Sequence, residues 1–201
     1  MREDIASILL SEEQIHTRVR ELGEEISRDY AGKEPLFVGV LKGCFIFMAD
    51  LFREVTIHGS VDFMAVSSYG NGTSTTGAVK INKDLSQDIE NRDVIIVEDI
   101  LDSGITLSYL TKYLQNRKPS SICIATLLDK PARRRADVQA KYVGFTVPDA
   151  FVVGYGLDYA EKYRNLPFIG VLKPEVYEKK ISDLYIVRAV RWDGRKGSDS
   201  F

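Results

Sequence analysis

The chain is poor in the residues that staple or anchor proteins. Its 201 residues include two cysteines, Cys44 and Cys123, each inside an apolar run. They read as small buried hydrophobes in a reducing compartment, not as a disulfide or metal pair. No apolar run approaches membrane-spanning length, and the N-terminal MREDIASILLSEEQ breaks its apolar stretch with acids too early for a secretory signal. A soluble, cytoplasmic protein with no membrane partner is expected. Neither sign of charge is in surplus: 27 Lys and Arg against 29 Asp and Glu give a formal charge of −2, which leaves no basic field for nucleic acid. Neither GxxxxGK[ST] nor GxGxxG follows a strand-like run, which discards P-loop and dinucleotide-binding readings. Internal repeats and long low-complexity stretches are also missing. What remains is an ordinary globular composition, 44% hydrophobic and 28% charged, at a length that suits one domain with a full-sized core.

The most informative stretch is VIIVEDILDSGIT, Val94 to Thr106. The β-branched run Val94–Val97 predicts a buried strand of a parallel sheet. The acids Glu98, Asp99 and Asp102 follow, then Ser103-Gly104-Ile105-Thr106. Gly104 permits a tight turn, and Ser103 or Thr106 can cap a helix running to about Asn116, with Leu107, Leu110, Tyr113 and Leu114 on one face. The N–H groups and dipole of such a helix terminus suit a phosphate. Three carboxylates beside a bare phosphate repel it, so the pattern asks for a divalent cation, a cationic group or a sugar whose hydroxyls donate to the acids.

Elsewhere the pattern alternates strand and helix. Ser11-Glu12-Glu13-Gln14 caps a predicted amphipathic helix reaching about Tyr30. His16 lies on it among charges and reads as a surface histidine. Leu36 to Leu41 predicts a strand, ending in Lys42-Gly43, with a helix beyond whose face is Phe45, Met48, Ala49 and Phe52. The residues alone leave open whether Lys42 is a ligand or an exposed lysine at a strand end. Thr56 to Ser67 predicts a strand with Val61, Phe63 and Ala65 on one face and His58 in a structural place. The polar, glycine-rich Ser68 to Gly77 reads by composition as a surface hairpin loop. Val79 to Leu85, Ser121 to Leu128, Tyr142 to Val147, Phe151 to Val153 and Phe168 to Leu172 predict the remaining strands. Arg133-Arg134-Arg135 reads as a solvated turn.

The Glu98–Thr106 segment resembles the 5-phosphoribosyl-1-diphosphate (PRPP) binding motif of type I phosphoribosyltransferases. Leu41-Lys42-Gly43, Ser68-Tyr69, Lys130, Phe151-Val152, Asp158 and Arg164 extend the resemblance over about residues 5 to 177 and narrow it to the hypoxanthine-guanine branch. It implies an α/β fold, a mainly parallel twisted sheet flanked by helices, with a small irregular hood from the chain's two ends over the site. It also implies transfer of phosphoribosyl from PRPP to N9 of a 6-oxopurine, with Mg2+ as cofactor and a homodimer or homotetramer as assembly.

Roles follow from the same resemblance. Asp102 would be the general base at purine N7, and Glu98 and Asp99 would accept the ribose hydroxyls. Asp102, Ser103, Gly104, Ile105 and Thr106 would cradle the 5-phosphate. Leu41-Lys42-Gly43, with a non-proline cis peptide at the lysine, and Arg164 would bind pyrophosphate. Ser68 and Tyr69 would belong to a mobile closing loop. Lys130 would donate to the purine 6-oxygen, Phe151 would stack on the base, and Val152 would read its edge. Asp158 would lie at the purine and help Glu98 and Asp99 with metal. Lys130 and Phe151-Val152 argue against orotate, uracil and adenine, while xanthine stays open. An RNA- or DNA-binding regulator on the same fold is disfavoured by the charge balance and by the intact Asp102. Residues 1–177 form one expected domain and 178–201 an extension that matches nothing in the family. Within it Ile181 to Val190 suits a strand or helix, and Trp192 onward looks disordered.

Overall fold

In the computed structural model residues 1–68 and 79–178 are described. Tyr69 with the rest of its loop, and the tail from residue 179, lie outside the described residues, as does the side chain of Ser68. The elements run β1 (Ile5–Leu10), α1 (Glu12–Asp29), β2 (Leu36–Leu41), α2 (Phe45–Glu54), β3 (Ser60–Ser68), β4 (Val79–Lys83), β5 (Asp93–Leu101), α3 (Ile105–Gln115), β6 (Ser121–Asp129), β7 (Tyr142–Thr146), β8 (Val152–Val153) and β9 (Ile169–Leu172).

Six strands form the main sheet in the order β4-β3-β2-β5-β6-β7, and β5 lies in the middle. All neighbours pair parallel except the edge strand β4, which returns antiparallel to β3. Val94, Ile95, Ile96 and Val97 are fully buried because both faces of β5 are covered. Val94 and Ile96 pack with Leu107, Leu110 and Leu114 of α3. Ile95 and Val97 pack on the other face with Phe47, Met48 and Leu51 of α2 and with Ile15, Leu22 and Ile26 of α1. That alternation is the period-2 side-chain geometry of a strand seen through two helix layers.

Helix α1 begins as expected, at a capping box: Ser11 Oγ accepts from the Gln14 N–H at 3.2 Å, and Gln14 Oε1 accepts from the Ser11 N–H at 2.9 Å. Three local readings need correction. Helix α2 buries Phe47, Met48 and Leu51; of the expected face Met48 is buried and Phe52 half-buried against the core, but Phe45 and Ala49 are exposed. Its FIFMADLF run is apolar on nearly every side, so periodicity alone does not choose the buried stripe. Strand β3 starts at Ser60, leaving His58 exposed in the turn before it. Strand β5 runs on through Leu101, so Glu98 and Asp99 are strand residues.

The hood is a three-stranded antiparallel sheet, β1-β9-β8, with two register shifts along the β1–β9 pair, over a small core of Val153, Tyr163, Leu166, Phe168 and Leu172. Strand β1 has no counterpart among the expected elements, because its pairing partner lies at the far end of the domain. No helix among the described residues is long and apolar enough to cross a membrane.

Candidate active site

The parallel strands β2, β5 and β6 end together, at Leu41, Leu101 and Asp129, and a cavity of about 240 Å³ opens where β5 gives way to α3. Leu41, Glu98, Asp99, Asp102, Gly104 and Thr106 line it. A larger groove of about 700 Å³ lies between α1 and α2, but no residue of the strand ends reaches it. Gly104 is the N-cap of α3, at φ +77°, where a side chain would be strained and a Cβ would come within 2.5 Å of Val138. The expected caps are therefore displaced: Ser103 Oγ accepts only a long contact, 3.4 Å, from the Ile105 N–H. The first-turn N–H groups of α3 then lack intrahelical acceptors beside the cavity, the usual setting for a phosphate.

The two acids at the end of β5 are desolvated. Burial raises both carboxyls above the ordinary range, and the charge of Asp99 raises Glu98 further. The backbone of Gly43 packs so closely on Asp99 that a Cβ there would lie 1.7 Å from its Oδ2. A buried Asp99 beside a half-buried Glu98 fits a hard divalent cation that draws its other oxygens from substrate and water. Asp158 does not join them in a ready-made ligand set, and no three His, Cys, Asp or Glu converge as one among the described residues. Asp158 is held instead by the Glu161 N–H at 2.8 Å and by Arg164 at 2.9 Å.

Asp102 presents an enclosed Oδ1 that accepts no hydrogen bond. Arg133 Nε lies 3.0 Å from it, near enough for an ion pair but not aligned as a donor. Arg133 also pairs with Asp149 at 3.2 Å. Lys130 follows β6 and is buried; burial lowers its pKa, partly offset by the charge of Asp102. Its Nζ donates to the Ala150 carbonyl at 2.6 Å. Phe151 precedes β8 and is exposed, stacked on Tyr177 at 5.1 Å and edge-on to Tyr159 at 5.5 Å, while Val152 is buried in β8.

At the other end, the Leu41-Lys42 peptide is cis. Lys42 Nζ donates to Glu161 Oε2 at 3.0 Å, and Arg164 donates to the Gly156 carbonyl at 2.7 Å.

Two residues at the site escaped the sequence reading. Arg134 is half-buried and not a solvated turn residue: it donates to the carbonyls of Asp102 (3.2 Å), Val138 (2.7 Å) and Leu101 (3.4 Å) and to the Asp129 carboxylate. Nothing in the triplet Arg133-Arg134-Arg135 distinguishes it from its neighbours. Glu161 was the other, and its only signal was an acid lying between Asp158 and Arg164.

Residues 6–160 match the model of the family described as "Phosphoribosyl transferase domain". The chain is 59% identical, over 178 residues, to a protein of Bacillus subtilis named hypoxanthine-guanine phosphoribosyltransferase, covering 89% of this chain and 99% of that one. It is 56% identical to a Listeria monocytogenes "Bifunctional protein TilS/HprT", covering 89% of this chain but 28% of that longer protein. A crystal structure of a hypoxanthine phosphoribosyltransferase from Staphylococcus aureus superposes with a TM-score of 0.86 at 57% identity, covering 88% of this chain and 96% of the other.

Proposed function

This chain belongs to the phosphoribosyltransferase family, and from that premise we propose that it transfers the 5-phosphoribosyl group of PRPP to N9 of hypoxanthine or guanine, releasing pyrophosphate in purine salvage. The observation that carries this reading is the cavity at the end of β5, where a phosphate-type helix terminus and the three acids Glu98, Asp99 and Asp102 line one space.

The residues then divide the work. Asp102 accepts the purine N7 proton as N9 attacks, its Oδ1 being freed as Arg133 moves off to Asp149. Glu98 and Asp99 accept the ribose 2- and 3-hydroxyls. Carboxylates close to the sugar also ease positive charge at its C1 as the bond to pyrophosphate lengthens. The segment Asp102 to Thr106 holds the 5-phosphate on the N–H groups of α3. Lys42 and Arg164, with the backbone of Leu41 and Gly43, draw charge off the leaving pyrophosphate. Lys130 turns from the Ala150 carbonyl to the purine 6-oxygen, a donor that suits a carbonyl and not an amine. Phe151 stacks on the base and Val152 meets its edge through the backbone. Ser68, the last residue of β3, and Tyr69 after it take the part that the resemblance implies for them, closing over the sugar and excluding water. Glu98, Asp99 and Asp158 would hold Mg2+ together with substrate oxygens, and that ion supplies charge neutralisation on the diphosphate.

We place this activity in one domain, residues 1–177, with 178–201 as an extension, in a cytoplasmic homodimer or homotetramer. Sedimentation velocity checks the assembly. The activity is tested by incubating the protein with PRPP and Mg2+ and offering hypoxanthine, guanine, xanthine and adenine in turn, with a metal-free control. Inosine monophosphate from hypoxanthine and no product from adenine is the expected result. PRPP binding without nucleotide from any base overturns it.

A further inference from the structure

We propose that Glu161 is a built-in stand-in for pyrophosphate: it bridges the two cations that grip the leaving group and gives way when PRPP arrives. This rests on the phosphoribosyl-transfer reading above. Lys42 follows β2 and Arg164 follows the hood strand β8, so the two are distant in sequence, yet one carboxylate reaches both. Glu161 Oε2 accepts from Lys42 Nζ at 3.0 Å, and Oε1 lies 3.5 Å from Arg164 Nη2. A separate oxygen therefore faces each cation, which is what two neighbouring oxygens of a diphosphate would offer.

The placement is specified by backbone. Ala160 and Glu161 sit at φ +52° and +62°, a region that side chains other than those of Asn or Asp seldom enter. The turn is closed by the Glu161 N–H donating to Asp158 Oδ2 at 2.8 Å and by the Tyr159–Lys162 bridge. Asp158 in turn pairs with Arg164 at 2.9 Å, so the same turn that aims the carboxylate also steadies one of its targets. The bridge is built to be replaceable. The Lys42 and Glu161 side chains are 67% and 65% exposed, so water screens the pair, and a polyphosphate carrying more charge displaces it. Glu161 keeps Lys42 and Arg164 at their working separation while the site is empty. It competes for them when pyrophosphate is bound, which lowers product affinity and favours release.

The test uses the full chain and inorganic pyrophosphate. Pyrophosphate affinity is measured by calorimetry with Mg2+ for the wild type, Glu161→Gln, Lys42→Met and the double variant, alongside the KM values for PRPP and hypoxanthine. Removing the competing charge should tighten pyrophosphate and lower the KM for PRPP by roughly 3- to 10-fold, with the KM for hypoxanthine unchanged. The gain should largely vanish in the Lys42→Met background, which a merely structural role for Glu161 would not produce. Unchanged or weaker pyrophosphate binding in Glu161→Gln overturns the proposal, as does a gain that persists in full without Lys42. The two readings fail separately: a wild type that makes no nucleotide overturns the activity, whereas the pyrophosphate titration judges Glu161 without turnover.

Discussion

Asp102 and Lys130 follow the adjacent strands β5 and β6 with opposite requirements: one needs a proton to accept, the other a carbonyl to donate to. Replacing Asp102 by Asn keeps the shape and removes the basicity, so turnover should fall by about 10²–10⁴-fold while PRPP binding changes little; steady-state kinetics with PRPP as the varied substrate checks it, and equal losses in kcat and PRPP affinity would refute the role. Lys130→Ala removes a buried donor. Discrimination between hypoxanthine and adenine, read as the ratio of kcat/KM, should fall by about 10²-fold or more. The neighbourhood of Asp102 drew notice from the pattern alone, because three acids gathered between a buried strand and a helix start repel one another unless a ligand shares the space; its role as base came only from the resemblance. Lys130 was legible only through resemblance, since a lysine after a strand has no intrinsic meaning. Glu161 was not legible, because an acid in a charged turn looks the same whether it faces water or two cations.

At the scale of elements, the turn after β5 is held from outside itself. Arg134 donates to two of its carbonyls, those of Leu101 and Asp102, while the N–H groups of Arg135 and Ala136 donate to the Ser103 carbonyl at 2.9 and 3.1 Å. The segment after β6 therefore acts as a clamp on the segment after β5. Arg134→Ala leaves several part-buried acceptors unpaired, and the expected loss is about 1–3 kcal/mol of stability with a drop in kcat as Asp102 loosens. Urea melts and turnover measured on the same preparation check both; full activity with reduced stability would mean the clamp serves folding alone. Strand and helix existence along β2, β5, α3 and β6 was legible because their hydrophobic periods differ sharply. The buried face of α2 was not, because nearly all its sides are apolar, and β1 was not, because six residues near a terminus carry no hint of a distant partner.

Across the whole molecule, buried and half-buried aspartates link layers. Asp62, on β3, is buried and accepts from the N–H groups of Phe63, Ser86 and Gln87 and from Lys83. Asp84 takes Tyr113 and Arg117, joining the segment after β4 to α3. Burial raises both carboxyls, but these donors outweigh it and hold each below its ordinary value. A depressed folded pKa contributes stability that is present above the unfolded value, near 3.9, and is lost as pH falls through the folded one. The loss of these two contributions should make the melting temperature fall steeply below about pH 4. Asp84→Asn should flatten part of that acid limb while costing about 0.5–1 kcal/mol at pH 7, a modest figure because the pair is partly solvated. An unaltered limb in the variant would assign the acid loss to other groups. The overall plan, a parallel sheet between helix layers with a hood from both ends, was foreseen through family resemblance. Its strand order was not, because register between distant strands is decided by packing that no local window contains.

The pairing of β1 with β9 sets an order in time as well as in space. Ile5 lies opposite Leu172 and Leu10 opposite Ile169, so among the described residues the first strand in the chain is matched to the last. The sheet that carries β5 is built from contacts closer in sequence, so β1 is expected to pair after it, with its backbone edge open and Leu10 unsheltered until then. The first described strand is therefore expected to dock late, completing the hood after the main sheet is in place, an order that pulsed hydrogen exchange on β1 amides checks.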